Sequence, residues 1–295
     1  MTDREKILLR YVCDGDIKHA RQQAKIILEE TKTQKDERFR AEMLRRLEAK
    51  KSFVELPPNL QGLLEAEDSE IFPERKFLLR DGEKAITEQL LNVYRAADKL
   101  SKIGLSYLPA LILHGKSGCG KTELARYIAH KAKLPFVYVR FSCLVDSHLG
   151  STQSNVAKVF DYAKSAPCVL CFDEIDAIGL ARGQNQDVGE MNRVVIALMQ
   201  EMDRLPNNVI VIGTTNRFDR LDPALVRRFP LQYEVEKLSA DEAEALSKQI
   251  FQYAGLDPAW FPARTWNSTP ASMVVWECVN AIVSYIIANE INERN

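Results

Sequence analysis

Cysteine is sparse in this sequence, net charge is almost absent, and no long apolar run occurs. Six cysteines (Cys13, Cys119, Cys143, Cys168, Cys171 and Cys278) are scattered over 295 residues. A chain of that length builds a core without disulfides, so a disulfide framework is excluded and a reducing compartment is expected. Forty Lys+Arg against 41 Asp+Glu leave a formal net charge of -1, which gives no global pull toward nucleic acid or an acidic membrane. No stretch reaches the roughly 20 consecutive apolar residues of a bilayer span, and the opening MTDREKILLR lacks the apolar core of a secretory signal. The expectation is a cytoplasmic protein with no membrane attachment. Internal repeats and low-complexity tracts are also missing. At 46% hydrophobic and 27% charged residues, the composition excludes a wholly disordered or collagen-like chain.

At roughly 150 residues per domain, the length predicts two domains, or one α/β domain with an appendage. Residues 1–55 are charge-dense and helical in period: Ile7, Leu8, Tyr11 and Val12 mark a first helix, Ile17 to Leu28 a second, and Phe39, Met43, Leu44 and Leu47 a third. Leu56-Pro57-Pro58-Asn59 breaks that pattern, and residues 56–82 read as a linker. From Glu83 to Leu100 the apolar positions Ile86, Leu90, Leu91, Tyr94 and Ala97 recur at helical spacing. After Pro109 short apolar runs alternate with helical patterns: Ala110–Leu113, Phe136–Val139, Cys168–Phe172, Val209–Ile212 and Tyr233–Val235. Continuous apolar strands separated by helices call for a parallel sheet with both faces covered. Residues 237–295 return to helices. Cys168 and Cys171 form an isolated CxxC inside CVLCF; on a strand they point to opposite faces, and buried thiols are the expected reading.

Gly115-Lys116-Ser117-Gly118-Cys119-Gly120-Lys121-Thr122 satisfies G-x-x-x-x-G-K-[ST], with an apolar strand before it and a helix after it. Its glycines let successive N–H groups and a helix N-terminus face phosphate oxygens. Lys121 adds charge near the β- and γ-phosphates, and the Thr122 hydroxyl can ligate Mg²⁺. Some fifty residues on, the run Val169–Phe172 ends in Asp173-Glu174. Adjacent residues at a strand end diverge, so Asp173 is the candidate metal-side carboxylate and Glu174 the candidate base. Read alone, such a pair is a solvated strand end; the phosphate loop upstream favours chemistry. The next strand leads into Gly213-Thr214-Thr215-Asn216, where Asn216 is positioned either to orient an attacking water or merely to tolerate a turn.

The phosphate loop, CVLCFDEIDAI, VIVIGTTNRFDRLDPALVRRF and their order resemble the AAA+ ATPase family over roughly residues 85–290, most closely its stand-alone bacterial members with a single ATPase module. The resemblance implies a P-loop αβα sandwich with a five-stranded parallel sheet at 83–236 and a C-terminal helical lid at 237–295, with ATP and Mg²⁺ as cofactors; the N-terminal helical appendage at 1–55 lies outside it. It also implies homo-oligomeric rings, commonly hexamers, with ATP bound between neighbours. In that pattern Arg227 and Arg228 reach into the next subunit's site as arginine fingers; without the family they are an exposed pair at a helix end. His148-Leu149-Gly150 take the place of the pore loop that grips unfolded polypeptide, with histidine where an aromatic is usual and Ser151 where an acid is usual. Arg182–Glu190 is a second candidate pore loop. Thr269-Pro270-Ala271-Ser272 carries no nucleotide-sensing arginine, which agrees with the remodelling branch. The functional expectation is ATP-driven remodelling of a protein partner, with delivery to a separately encoded protease as one form of it. The alternative is a nucleotide-switched assembly factor acting on DNA or on a mobile-element or replication complex; the charge balance disfavours it. The segment Arg38–Lys51, with Glu37, Glu42 and Glu48 nearby, is read as ion-paired helix surface rather than a nucleic-acid contact.

Overall fold

The computed structural model describes residues 3–13, 17–30, 56–57, 60, 62–70, 72, 77–105, 107–140, 144, 151–177, 188–258 and 265–292. The chain divides into two compact units, Met1–Ser52 and Phe53–Asn295. In the first, helices α1 (Asp3–Cys13) and α2 (Ile17–Glu30) pack on each other, as a helical hairpin requires. The third helix expected there, with the Arg38–Lys51 segment, lies outside the described residues.

The second unit is built on a sheet. Its strands are β1 (Leu64–Glu67), β2 (Ala110–His114), β3 (Phe136–Val139), β4 (Val169–Phe172), β5 (Ile210–Thr215) and β6 (Leu231–Glu234), in the spatial order β1-β3-β4-β5-β2-β6. The five strands after β1 are parallel to one another, as the apolar runs predict. β1 is an addition: the segment read as linker contributes a sixth strand, antiparallel to β3 at the edge. Its sequence LEAE alternates, so Leu64 and Ala66 are buried while Glu65 and Glu67 face outward. The outward carboxylates pair with Arg140 and Arg126.

Alternation within the central strands divides the core into two layers. Ala110, Ile112, Leu170, Phe172, Val209 and Val211 meet helices α5 (Ser151–Ser165) and α6 (Val188–Met202) on one face. Leu111, Leu113, Val169, Cys171, Ile210 and Ile212 meet α3 (Asp81–Lys102) and α4 (Lys121–Ala132) on the other. Each fully buried Leu, Ile, Val or Phe side chain stabilises the fold by roughly 1.5–3 kcal/mol. Cys168 and Cys171 belong to opposite layers, which excludes them as a pair. Burial pushes the Cys168 thiol up to about 12 and the Cys171 thiol well above its ordinary value.

A short helix α7 (Pro223–Val226) is capped by Asp222, whose Oδ1 accepts the Ala224 N–H at 2.7 Å, with proline in its first turn. The lid follows. Its helix α8 (Ala240–Tyr253) starts with a reciprocal box: the Glu242 N–H donates to Ser239 Oγ at 3.2 Å, and the Ser239 N–H donates to Glu242 Oε2 at 2.8 Å. With α9 (Ala271–Asn292), α8 encloses a third core of Leu238, Ala243, Leu246, Ile250, Phe251, Trp266, Val274 and Cys278. Within α9, Ala271–Ala288 has a mean hydropathy of 1.6 and the length of a membrane span, by length and composition only. One side of it packs on the lid core, and the other presents Met273, Trp276, Val279, Val283, Ile286 and Ile287 to solvent.

Candidate functional site

All the candidate residues around the phosphate loop gather at the carboxyl ends of the parallel strands, where ligands bind in open α/β sheets. β5 pairs with β4 on one side and β2 on the other, so the acidic pair after β4 and the phosphate loop after β2 flank it. The loop's path depends on glycine at two positions. Gly115 has φ +134°, and a Cβ there would lie 2.3 Å from the Val235 carbonyl oxygen; Gly118 has φ +76°, and its Cβ would meet Ser272 Oγ at 2.2 Å. The second approach is to the lid, whose Ser272 N–H donates to the Gly118 carbonyl at 3.0 Å.

Helix α4 starts at Lys121, so its unpaired N–H groups face the same space. The Lys121 ammonium is buried and donates to the carbonyls of Gly115 at 3.0 Å and Lys116 at 2.9 Å, and to Asn216 Oδ1 at 2.7 Å. Burial lowers its pKa, partly opposed by Cys119, Asp173, Asp176 and Glu174. The Thr122 hydroxyl donates to Asp173 Oδ1 at 3.1 Å. These two groups offer hard oxygens of the kind that suit Mg²⁺, which takes one or two protein ligands and keeps several waters. Asp173 is half-buried and Glu174 exposed, so the two diverge as the strand-end argument predicts. Glu174 has φ +53°, a left-handed conformation that a non-glycine residue adopts at a cost and that clusters at functional sites.

These groups line one cavity of about 580 Å³. Its polar lining is made by Ser117 to Thr122, Asp173, Glu174, Thr214 and Asn216; its apolar lining is made by Phe77, Leu78, Leu238, Leu246 and Val275. Arg80 also borders it, held by the buried Glu83 through Nε at 3.0 Å and by the Glu236 carbonyl at 3.1 Å. Burial opposes the Arg80 charge, but the Glu83 hydrogen bond and charge prevail and raise its pKa. A cavity lined both by phosphate-loop donors and by apolar side chains has the chemistry a nucleoside triphosphate needs.

Residues 111–237 match the model of the ATPase family associated with various cellular activities (AAA). The chain carries an AAA ATPase domain. It is 31% identical over 212 residues to an uncharacterized AAA family ATPase of Sinorhizobium fredii, a match covering 70% of this chain and 63% of the relative. It is 41% identical over 153 residues to the peroxisomal ATPase PEX6 of Rattus norvegicus and, to the same extent, of Cricetulus griseus, each match covering 50% of this chain and 15% of the relative. The chain thus spans less than two thirds of the length of these relatives.

Within the AAA domain the two arginines after α7 differ. Arg228 is half-buried and committed to its own chain, donating to the Ala224 carbonyl at 2.9 Å and to Asp203 Oδ2 at 3.0 Å. Arg227 is exposed and makes no side-chain hydrogen bond or ion pair among the described residues. Neither lines the cavity. The candidate pore loop His148-Leu149-Gly150 lies outside the described residues. So does most of the second candidate loop, since α6 begins only at Val188.

Four site features were not evident from sequence. Thr214, inside the run Gly213–Asn216, bonds both acidic residues. Tyr138 OH donates to Asp173 Oδ2 at 3.3 Å from the neighbouring strand. Thr215 Oγ1 donates to Asp176 Oδ1 at 2.7 Å and accepts the Arg217 N–H at 2.9 Å, which ties the segment after β4 to the one after β5. Ser272 of the lid touches the phosphate loop. Threonines at a strand's carboxyl end were a signal for the first and third; nothing local marks Tyr138 or Ser272.

Proposed function

We propose that this chain binds ATP with Mg²⁺ and hydrolyses it in a ring-forming assembly that remodels a protein partner. The observation that carries the reading is the convergence of the phosphate loop, Asp173, Glu174 and Asn216 on one cavity. Loop N–H groups and the start of α4 hold the phosphates. Lys121 turns from the loop carbonyls toward the β- and γ-phosphoryl oxygens. Thr122 and Asp173 are the protein ligands for Mg²⁺, which when bound neutralises charge on those oxygens. Glu174 accepts a proton from the attacking water and Asn216 orients that water. Among the described residues, no group of the same chain that lines the cavity supplies a free guanidinium, since Arg80 is held by Glu83. Arg227, exposed and uncommitted, is the group a neighbouring copy contributes. The apolar outer face of α9 is the kind of surface that marks an interaction site and favours association. Remodelling, a hexameric ring and a partner protease rest on the family resemblance. Buried thiols at Cys168 and Cys171, on opposite faces of the sheet, support a reducing, cytoplasmic setting.

The test is Mg²⁺-dependent ATP turnover measured across a range of protein concentrations, with and without an unfolded protein and with and without DNA. We expect the rate per molecule to rise with concentration, to respond to unfolded protein, and to vanish in Glu174→Gln while ATP binding persists. Turnover that survives Glu174→Gln overturns the assigned base, and an unchanged rate per molecule in strictly monomeric material overturns the shared site. Stimulation by DNA that persists in His148→Ala would favour the nucleic-acid reading instead.

A further inference from the structure

Two hydroxyls that take no part in the hydrolysis outlined above meet at the acidic pair. Thr214 is 1% exposed. Its Oγ1 donates to Asp173 Oδ1 and accepts the Glu174 backbone N–H at 3.1 Å. A hydroxyl has one proton and two lone pairs, so this arrangement satisfies it in both directions. The same buried oxygen therefore ties the metal-side carboxylate to the peptide of the base. Tyr138 OH takes the other oxygen, Asp173 Oδ2, at 3.3 Å. These contacts follow from sheet register: Cys171 lies beside Tyr138 on β3, and Phe172 beside Gly213 on β5, so both neighbouring strands deliver a hydroxyl to the residue that follows β4. Glu174 leaves that point at φ +53°, and its N–H in this turn is held by Thr214.

We propose that Thr214 and Tyr138 are positioning residues for the acidic pair. Thr214 sets the Asp173 carboxylate and, through the Glu174 N–H, the left-handed turn that aims the Glu174 side chain; Tyr138 fixes the second carboxylate oxygen. Groups that orient a metal ligand from behind typically govern metal affinity or activity by about 10–100-fold. The proposal rests on the Mg²⁺–ATP reading of this cavity.

The experiment compares wild type with Thr214→Val, which keeps the shape and removes the hydroxyl, with Thr214→Ser, which keeps the hydroxyl, and with Tyr138→Phe. Binding of a fluorescent ATP analogue is titrated with Mg²⁺ and repeated in EDTA, and kcat and KM are measured at saturating Mg²⁺. Expected for Thr214→Val is unchanged binding in EDTA, a Mg²⁺ requirement raised by about 10–100-fold, and a lower kcat at unaltered KM for ATP. Thr214→Ser recovers both, and Tyr138→Phe raises the Mg²⁺ requirement without altering binding in EDTA. A merely structural role predicts instead a loss of binding in both media, parallel to a fall in melting temperature. Wild-type Mg²⁺ dependence and kcat in Thr214→Val, or failure of Thr214→Ser to recover them, overturns the proposal while leaving hydrolysis intact. If Thr214→Val does not fold, Tyr138→Phe decides: an unshifted Mg²⁺ titration overturns the clamp. Wild-type protein that binds no Mg²⁺–nucleotide overturns the underlying reading and this proposal with it.

Discussion

Replacing Arg227 and Arg228 one at a time by alanine separates assembly chemistry from folding, because the fold treats the two neighbours differently. Arg227 is exposed and makes no side-chain hydrogen bond or ion pair among the described residues, so Arg227→Ala should leave stability within about 0.5 kcal/mol of wild type. If it is the group that completes a neighbour's pocket, its loss costs about a thousandfold or more in turnover, equivalent to roughly 4 kcal/mol of barrier. Arg228→Ala removes a charged donor from the Ala224 carbonyl and a partly exposed pair with Asp203 at 3.0 Å. The carbonyl bond contributes on the order of 1.5 kcal/mol and the screened pair less than about 1 kcal/mol. Melting should therefore fall by roughly 2–4 °C for each kcal/mol lost in a unit of this size. The decisive assay mixes two inactive proteins, Arg227→Ala and Glu174→Gln. In a head-to-tail assembly formed at random from equal parts, about a quarter of the interfaces join an intact Glu174 to an intact Arg227, and activity should return toward that fraction. No recovery on mixing, or full turnover by Arg227→Ala alone, refutes the reasoning.

Three further outcomes follow from the packing. Gly115→Ala sets a Cβ 2.3 Å from the Val235 carbonyl oxygen at φ +134°; the backbone conformation alone costs about 1–3 kcal/mol, so calorimetry should record a lower melting temperature together with weaker nucleotide binding. A thiol reagent at pH 8 should modify exposed Cys13 quickly and Cys168 and Cys171 only as the protein opens, because burial holds both thiols protonated; rapid labelling of Cys168 in native protein would contradict the two-layer core. Burial first, and then the Asp173 charge and hydrogen bond, push the Tyr138 phenol from 10.0 up to about 12. The folded state therefore holds this proton more tightly than the unfolded chain, so the stability it contributes is whole below pH 10 and is lost as pH rises toward 12. Urea midpoints of Tyr138→Phe should decline less steeply than wild type over that window, and parallel curves would remove the coupling to Asp173.

What local chemistry determines was legible in the sequence. The phosphate loop is such a feature, because its path depends on glycines at positive φ and on a helix that begins at Lys121. The parallel strands β2, β3, β4 and β5 are another, since each carries a continuous apolar run that a doubly covered sheet satisfies; β6, with Gln232 and Glu234 exposed at the sheet edge, is legible only in part. The divergence of Asp173 and Glu174 belongs with them, being a property of two consecutive residues at a strand end. Other features needed the assembled sheet. LEAE is too short and too half-apolar to announce a strand; it becomes one because the edge of β3 offers unpaired backbone groups and Arg126 and Arg140 receive its carboxylates. Nothing near position 138 marks a tyrosine that braces an acid 35 residues later; the contact exists because β3, β4 and β5 lie side by side. Likewise the sequence offers two adjacent arginines as equals, and only the closeness of Asp203 and of the α7 carbonyl commits Arg228 and leaves Arg227 exposed. Short-range backbone preference can be read along a chain, whereas partnership between distant side chains is set by strand order and register, which emerge only when the layers pack.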